Sequence, residues 1–478
     1  MDITNLKKIY FVGIGGIAMS AVAGLARQAG YEVEGSDSSE IYSPSKEVLE
    51  DEGITYFHGY DSSHIQNAQA DLYVLSAGEG EQNPEVKYIL EHGLARCGFP
   101  ELAYELTKER LRVVVAGTHG KSTTSGLIGH LLKGLDDSAF MVGGVLQNYG
   151  SNFHSGQGHY FVFEGDEYKS EFDDPTPKFH YYKPDILVLT NLEWDHPDLF
   201  PTFEAMQEEF RQLINNMPAD GLIVYNADDE HVVKLVHESN VSSVSFGLDD
   251  AADFWAEQLD FGPEFTEIKV KNKFTKDQLS QALGLLEEYK IQLPGKINVY
   301  NALAAIAMLR ALGFSPNTFS LDLLTYKGIK RRFEDVGRRN GVTFINDYAH
   351  HPTAVKETLE AARLRYPQAA LWAVFEPHTF SRTKALLNEL SLSFKAADQV
   401  LLANIYPARE KASDAGITSE QVLAEVQKQH PHVRLMANKQ EAIATLNAET
   451  KPGDVVVVMA VGNFNRLAYD MVEQKNDN

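Results

Sequence analysis

Short, almost wholly apolar runs recur along the chain, each ending in glycine or a polar residue and followed by a stretch with helical spacing. "KIYFVGIGG" reads as a buried strand entering a glycine turn, and "AMSAVAGLARQAG" as a helix ended by glycine. "YEVEGSD" and "ADLYVLSAG" supply later strands of the same block. Apolar runs without alternation are buried on both faces, so this strand–helix rhythm predicts a parallel sheet of Rossmann type. A second alternation starts at "LRVVVAGTHGKSTTSGLIGHLLKGL" and continues through "HYFVFEGDE", "DILVLTNLEWDH" and "GLIVYNADD". From Val241 to Lys290 the rhythm loosens into short strand-like pieces, expected to form an insertion or an edge sheet. "LPGKINVYNALAAIAMLRALGF" is a loop feeding a helix. A third block follows "KGIKRRFEDVG", with strands at "VTFINDYA", "ALWAVFEPH", "DQVLLANIY" and "DVVVVMAVGN".

The fold class is therefore α/β in three domains, expected at residues 1–108, 109–330 and 331–478. The outer two are read as Rossmann-like and the central one as a P-loop ATPase-like parallel sheet. A length of 478 residues agrees, since a domain takes roughly 150. The formal charge of −24 argues against a general nucleic-acid surface. Cys97 is the sole cysteine, so no disulfide can form within the chain. The first apolar segment is too short, and too soon broken by glycine, for a signal peptide or membrane span; a cytoplasmic protein without a membrane partner is expected.

Candidate chemistry begins at the loop Gly117, Thr118, His119, Gly120, Lys121, Ser122, with Thr123 next. Glycines between a strand and a helix let backbone N–H groups face phosphate oxygens, and the helix N-terminus adds positive potential. Lys121 would reach the β and γ phosphates and the Ser122 hydroxyl would ligate Mg²⁺. The eight-residue phosphate-loop pattern is incomplete, since Val115 stands where its first glycine belongs. Glu164 and His196 follow two further predicted strands, where parallel sheets place ligands. Together with Ser122 they could hold Mg²⁺ or Mn²⁺; separately, Glu164 or Asp166 could cap a helix and His196 could pack in a loop.

Gly13, Gly15 and Gly16, with Asp37 downstream, form a dinucleotide-like fingerprint that suits NAD or another nucleotide diphosphate. An NAD-dependent oxidoreductase would leave the second glycine loop and the Glu164/His196 pair unexplained. A nucleotide-gated binding protein without turnover is the non-enzyme alternative. Asn298 and Asn301 open a helix and suit either capping or a nucleotide. Arg331 and Arg332 stand at a block junction, where an arginine could meet the γ-phosphate.

In order along the chain, "GIGGIAMS", "GTHGKSTT", "EGDEY", "TNLEWDH", "NVYNALAA", "KRRF", "NDYAHHPT", "EPHTFSRT" and "VGNF" resemble the Mur ligase family over essentially the whole sequence. The resemblance implies ATP-dependent amide formation in peptidoglycan precursor synthesis. The N-terminal unit would bind a UDP-sugar, the central unit ATP, and the C-terminal unit the amine. "DYAHHPT", "PHTFSRT" and "IYPAREK" look most like the members that add L-alanine to UDP-N-acetylmuramate. "EGDEYKSEFDDPTPKFHYYKPD" and "DHPDLFPTFE" look more like those that recycle a tripeptide.

Carried over motif by motif, the catalytic set would be Lys121, Glu164, His196 and Arg332. Asn298 and Asn301 would lie by the adenine, Arg332 by the γ-phosphate and Asp347 by the ribose. Gly13, Gly15, Gly16, Met19, Asp37 and Ser76 would serve the UDP-sugar, and His378 and Arg382 the carboxylate of the amino substrate, while His350 and His351 would either serve substrate or shape their loop. Some relatives carry a carbamylated lysine where this chain has Arg211, so that role is not expected. The resemblance leaves a monomer or weak homodimer.

Overall fold

The computed structural model describes residues 1–478 except 39, 197–198, 275–285, 409, 411–415 and 474–478. Arg409 and Lys411 of "IYPAREK", and Pro197 and Asp198 of "DHPDLFPTFE", thus lie outside the described residues. The described residues form three sheets, met in sequence order.

The first is wholly parallel. Across it run Thr55–His58, Glu32–Asp37, Lys8–Val12, Leu72–Leu75 and Arg96–Gly98. The strand order reverses direction beside Lys8–Val12, so the glycine turn that follows it sits at a topological switch point. Helix Ile17–Gln28 packs against Ser151–His154 of the next sheet. Gly24 permits the approach, since a Cβ there would lie 2.5 Å from the Phe153 ring.

The second sheet has ten strands. Its parallel run crosses Phe254–Phe261, Ser242–Gly247, Leu222–Asn226, Ile186–Leu189, Leu111–Ala116, Tyr160–Glu164 and Ala139–Leu146. The expected parallel sheet carries antiparallel strands at both margins. Ser151–His154 on one side, and Thr266–Asn272 with Glu287–Ile291 on the other, pair antiparallel. The loosened pattern between Val241 and Lys290 is thus an extension of this sheet, and its alternating residues mark strands with one solvated face. Helix Lys296–Ala311 is buried almost all round. Its Arg310, 1% exposed, is neutralised by Glu287 at 3.1 Å.

The third sheet orders Glu334–Arg339, Val342–Asp347, Val455–Met459, Leu371–Phe375, Gln399–Leu402 and Val433–Leu435. It is parallel except for the first pair. "VVVVM" is fully buried at its centre, as an unalternating run requires. Between the second and third sheets, Arg331 and Phe333 adopt left-handed φ of 62° and 47°, a conformation uncommon for residues with side chains. No described helix is long and apolar enough to cross a membrane.

Candidate active site

Three adjacent central strands, Ile186–Leu189, Leu111–Ala116 and Tyr160–Glu164, deliver their C-terminal ends to one place. The chain leaves Leu111–Ala116 through Gly117 at φ 131° and enters helix Lys121–Asp136 through Gly120 at φ 82°. A Cβ on Gly117 would lie 2.2 Å from Thr190 Oγ1, and one on Gly120 2.5 Å from Asn301 Oδ1. Only glycine fits either position. The neighbouring strand end fixes the loop: Thr118 N–H donates to the Asn191 carbonyl at 2.9 Å and His119 N–H to Asn191 Oδ1 at 2.8 Å. Thr190 Oγ1 donates to the His119 carbonyl at 2.7 Å.

Lys121 Nζ lies on the Gly117 and Thr118 carbonyls, at 2.6 and 3.2 Å, and 2.9 Å from Glu167 Oε2. Burial works against its charge, yet Glu167 and the nearby Asp166 and Glu164 hold its pKa above the ordinary lysine value. Ser122 Oγ donates to Glu164 Oε1 at 2.7 Å, and Gly143 N–H to Glu164 Oε2 at 2.6 Å. A hydroxyl and a carboxylate in contact are hard oxygen donors of the kind Mg²⁺ takes. With the cradle that Gly117 and Gly120 leave open, the residues fit a nucleotide phosphate and its cation. Neither Glu164 nor Asp166 caps a helix; Asp166 pairs with Lys178.

His196, expected beside Glu164, has its Nε2 3.6 Å from Glu167 Oε1. Glu167, 3% exposed, therefore joins the lysine of the phosphate loop to the histidine. The motif "EGDEY" contains it, but sequence pattern could not separate it from its neighbours.

Two cavities flank this centre. One of about 460 Å³ is lined by the phosphate loop, Thr123, Asn298, Asn301, Asp347 and His350, with apolar Phe246, Leu293 and Ile297. The other, about 1020 Å³, runs from Ile17, Ala18 and Tyr42 of the first unit past Gly143 to Arg331, Tyr348 and Tyr469. Ser122, Glu164, Ile329 and Arg332 line both. The Arg332 guanidinium lies 5.0 Å from the centre of the Tyr348 ring.

Several expected ligand contacts are occupied by protein groups. Asn301 Oδ1 accepts from Thr124 Oγ1 at 2.9 Å, and Asn298 Nδ2 donates to the Pro294 carbonyl at 2.7 Å. Gly295 caps their helix, so neither asparagine does. Asp347 accepts the N–H groups of Phe333 and Ala349, both at 2.6 Å, and fixes the junction; burial raises its pKa. Arg382 pairs with Asp195 at 2.8 Å instead of standing free for a substrate carboxylate, and also donates to His378 Nδ1 at 3.0 Å. Burial, and then Arg382, depress the pKa of both His350 and His378, the latter to about 4. His351 caps helix Pro352–Arg365 by accepting the Thr353 N–H.

In the first unit, Gly15 N–H donates to Asp37 Oδ2 at 2.9 Å, joining the two ends of the fingerprint. A Cβ on Gly13 would lie 2.8 Å from Ser76 Cβ, and Gly16 caps the following helix. Met19 turns into the core at 3% exposure, whereas Ile17 and Ala18 face the large cavity. Helical spacing explains the correction, because one residue along the helix rotates the side chain by about 100°.

These units match three family models in order. They are the Mur ligase family catalytic domain over residues 8–110, the Mur ligase middle domain over 115–309, and the Mur ligase glutamate ligase domain over 331–462. The chain belongs to the Mur ligase family. It is 34% identical to the UDP-N-acetylmuramate–L-alanine ligase of Alkaliphilus metalliredigens, over 99% of both chains. The crystal structure of the UDP-N-acetylmuramate–alanine ligase from Thermotoga maritima superposes with a TM-score of 0.80 at 23% identity, covering 98% of this chain and 99% of that one. A murein peptide ligase structure from Psychrobacter arcticus gives 0.72 at 28% identity, covering 98% of each.

Proposed function

We propose that the protein joins UDP-N-acetylmuramate to L-alanine with hydrolysis of ATP to ADP and phosphate, a step in peptidoglycan precursor synthesis. The observation that carries this reading is the meeting of the two cavities at Ser122, Glu164 and Arg332. The smaller cavity suits ATP, with its base among Phe246, Leu293 and Ile297 and its phosphates toward Lys121. The larger suits a UDP-sugar entering from the first unit. A carboxylate at its inner end then faces the γ-phosphate.

The lactyl carboxylate oxygen attacks the γ-phosphorus, and the bond to the β–γ bridging oxygen breaks, releasing ADP. Lys121 and Arg332 offset the negative charge of the transferring group. Ser122 and Glu164, with His196 and Glu167 close by, would hold Mg²⁺ or Mn²⁺, which supplies further charge neutralisation. The amine next attacks the acyl carbon of the acyl phosphate. The C–N bond forms, phosphate leaves and the amine loses a proton. Water would hydrolyse the acyl phosphate, so contact between the central and C-terminal units serves to exclude it. In this reading His350, a substrate candidate that lines the smaller cavity, faces the incoming amine.

The test is to incubate purified protein with UDP-N-acetylmuramate, Mg-ATP and either L-alanine or the tripeptide L-Ala-γ-D-Glu-meso-diaminopimelate, reading product mass and phosphate release. The alanyl product is expected at the higher kcat/KM. Preference for the tripeptide would assign the chain to peptide recycling, and phosphate release that ignores both amines would reject ligation.

A further inference from the structure

Next to the phosphate loop lies a second constellation that the ligation chemistry does not use. His119 of that loop places Nε2 2.7 Å from Glu193 Oε2. His351, from the C-terminal unit, places Nδ1 3.9 Å from the same oxygen. The ligand atoms of all three lie within 4.8 Å of one another, and among the described residues they form a three-residue His/Asp/Glu group of metal-binding dimensions. All three line the smaller cavity.

We infer that His119, Glu193 and His351 form a binding site for a borderline divalent cation, Zn²⁺ in the first instance, separate from the oxygen site at Ser122 and Glu164. Two imidazoles and one carboxylate are a donor set that Zn²⁺ accepts, whereas Mg²⁺ prefers oxygen alone. Tetrahedral bonds of about 2.0–2.2 Å set neighbouring ligand atoms roughly 3.3 Å apart. The spacings of the two rings from Glu193, 2.7 and 3.9 Å, bracket that value, and the third pair lies within 4.8 Å, so side-chain adjustments of up to about 1.5 Å bring the three atoms to coordination distance.

The carboxylate is already oriented from behind. Thr353 Oγ1 donates to Glu193 Oε1 at 2.8 Å, leaving Oε2 toward the two rings. Such outer contacts are what fix a ligating carboxylate. The His351 ring is 3% exposed, and the ring atom nearest Glu193 is Nδ1. Its Nδ1 accepts only a long 3.4 Å bond from Thr353 N–H. The cavity leaves a side of the site open for a fourth ligand. The three ligands come from two units, so a bound ion ties the phosphate loop to the C-terminal unit without nucleotide.

The experiment uses the untagged full chain, free of nucleotide, titrated with Zn²⁺ or Co²⁺ alone. Calorimetry should give one ion per chain with Kd on the order of 10 μM or tighter. Co²⁺ should develop the visible absorption of a tetrahedral site, and Zn²⁺ should raise the melting temperature. Glu193→Gln, at a side chain 43% exposed, is expected to fold and to weaken binding at least tenfold. His351→Asn, which keeps a helix-capping acceptor, should do the same. Glu164→Gln should leave Zn²⁺ affinity unchanged. Absence of binding, unaltered affinity in Glu193→Gln, or loss in Glu164→Gln instead would overturn the site.

Discussion

Arg382 reaches out of the C-terminal unit and sets Nη2 and Nε on one oxygen of Asp195, at 2.8 and 3.0 Å, where both side chains are less than a tenth exposed. Burial alone would push the Asp195 carboxyl up, yet the guanidinium holds it well below the usual carboxylate range. Removing one member of such a pair leaves a buried uncompensated charge, which costs about 3–5 kcal/mol. Arg382→Ala and Asp195→Ala should each destabilise strongly, and the double variant should lose much less than their sum. A double-mutant cycle by urea denaturation measures this coupling; additive losses would show that the two residues act separately.

Lys121 is half-buried against Glu167 and the loop carbonyls. Lys121→Ala should lower kcat by at least about a thousandfold, roughly 4 kcal/mol of barrier, with a native circular dichroism spectrum. Single-turnover phosphate release near the parent rate would contradict its role at the phosphates.

Gly117 offers a steric test of the same loop. At φ 131°, with a would-be Cβ 2.2 Å from Thr190 Oγ1 and 2.7 Å from the Asn191 carbonyl, even Gly117→Ala must move the loop. The strain should cost about 2 kcal/mol and weaken ATP binding more than UDP-sugar binding. Calorimetry with each ligand separates the two effects.

Glu171 lies 2.7 Å from Arg96 of the first unit, yet burial, which outweighs that cation, lifts its pKa from 4.5 to about 7. Between pH 4.5 and 7 the folded chain holds a proton that the unfolded chain has released. The Glu171 contribution to stability must therefore fall as pH rises through that window. Glu171→Gln should flatten the dependence of Tm on pH there. An unchanged pH profile would show that the side chain ionises normally in the fold.

Much of this site was legible because chemistry and backbone rule coincide. GTHGKS requires glycine at two positive-φ positions, and the fold places glycine at both. Gly15 and Asp37, far apart in sequence, meet through a direct hydrogen bond that the fingerprint itself does not specify. Contacts between units were not legible. Nothing in "PHTFSRT" says that its arginine turns to an aspartate 187 residues earlier, because such a pairing depends on how separate sheets pack. Glu167 was hidden for another reason. It sits in an acidic run where several residues could satisfy any motif, and only its contacts with Lys121 and His196 in the fold single it out. The edge strands between Val241 and Lys290 were legible only as loose strand-like pieces, without their direction, because short alternating strands give weaker patterns than the apolar runs at the sheet's centre.

The common wall of Ser122, Glu164, Ile329 and Arg332 between the two cavities has a consequence for inhibitor design. Two fragments, one filling each cavity, would lie end to end with only these four side chains between them. A short tether between them turns the second association into an intramolecular event at millimolar effective concentration, so the joined molecule can exceed either fragment's affinity by about 10²–10⁴ without any new contact. A tether too short to pass Arg332 forfeits that gain entirely, which makes linker length the variable to scan first.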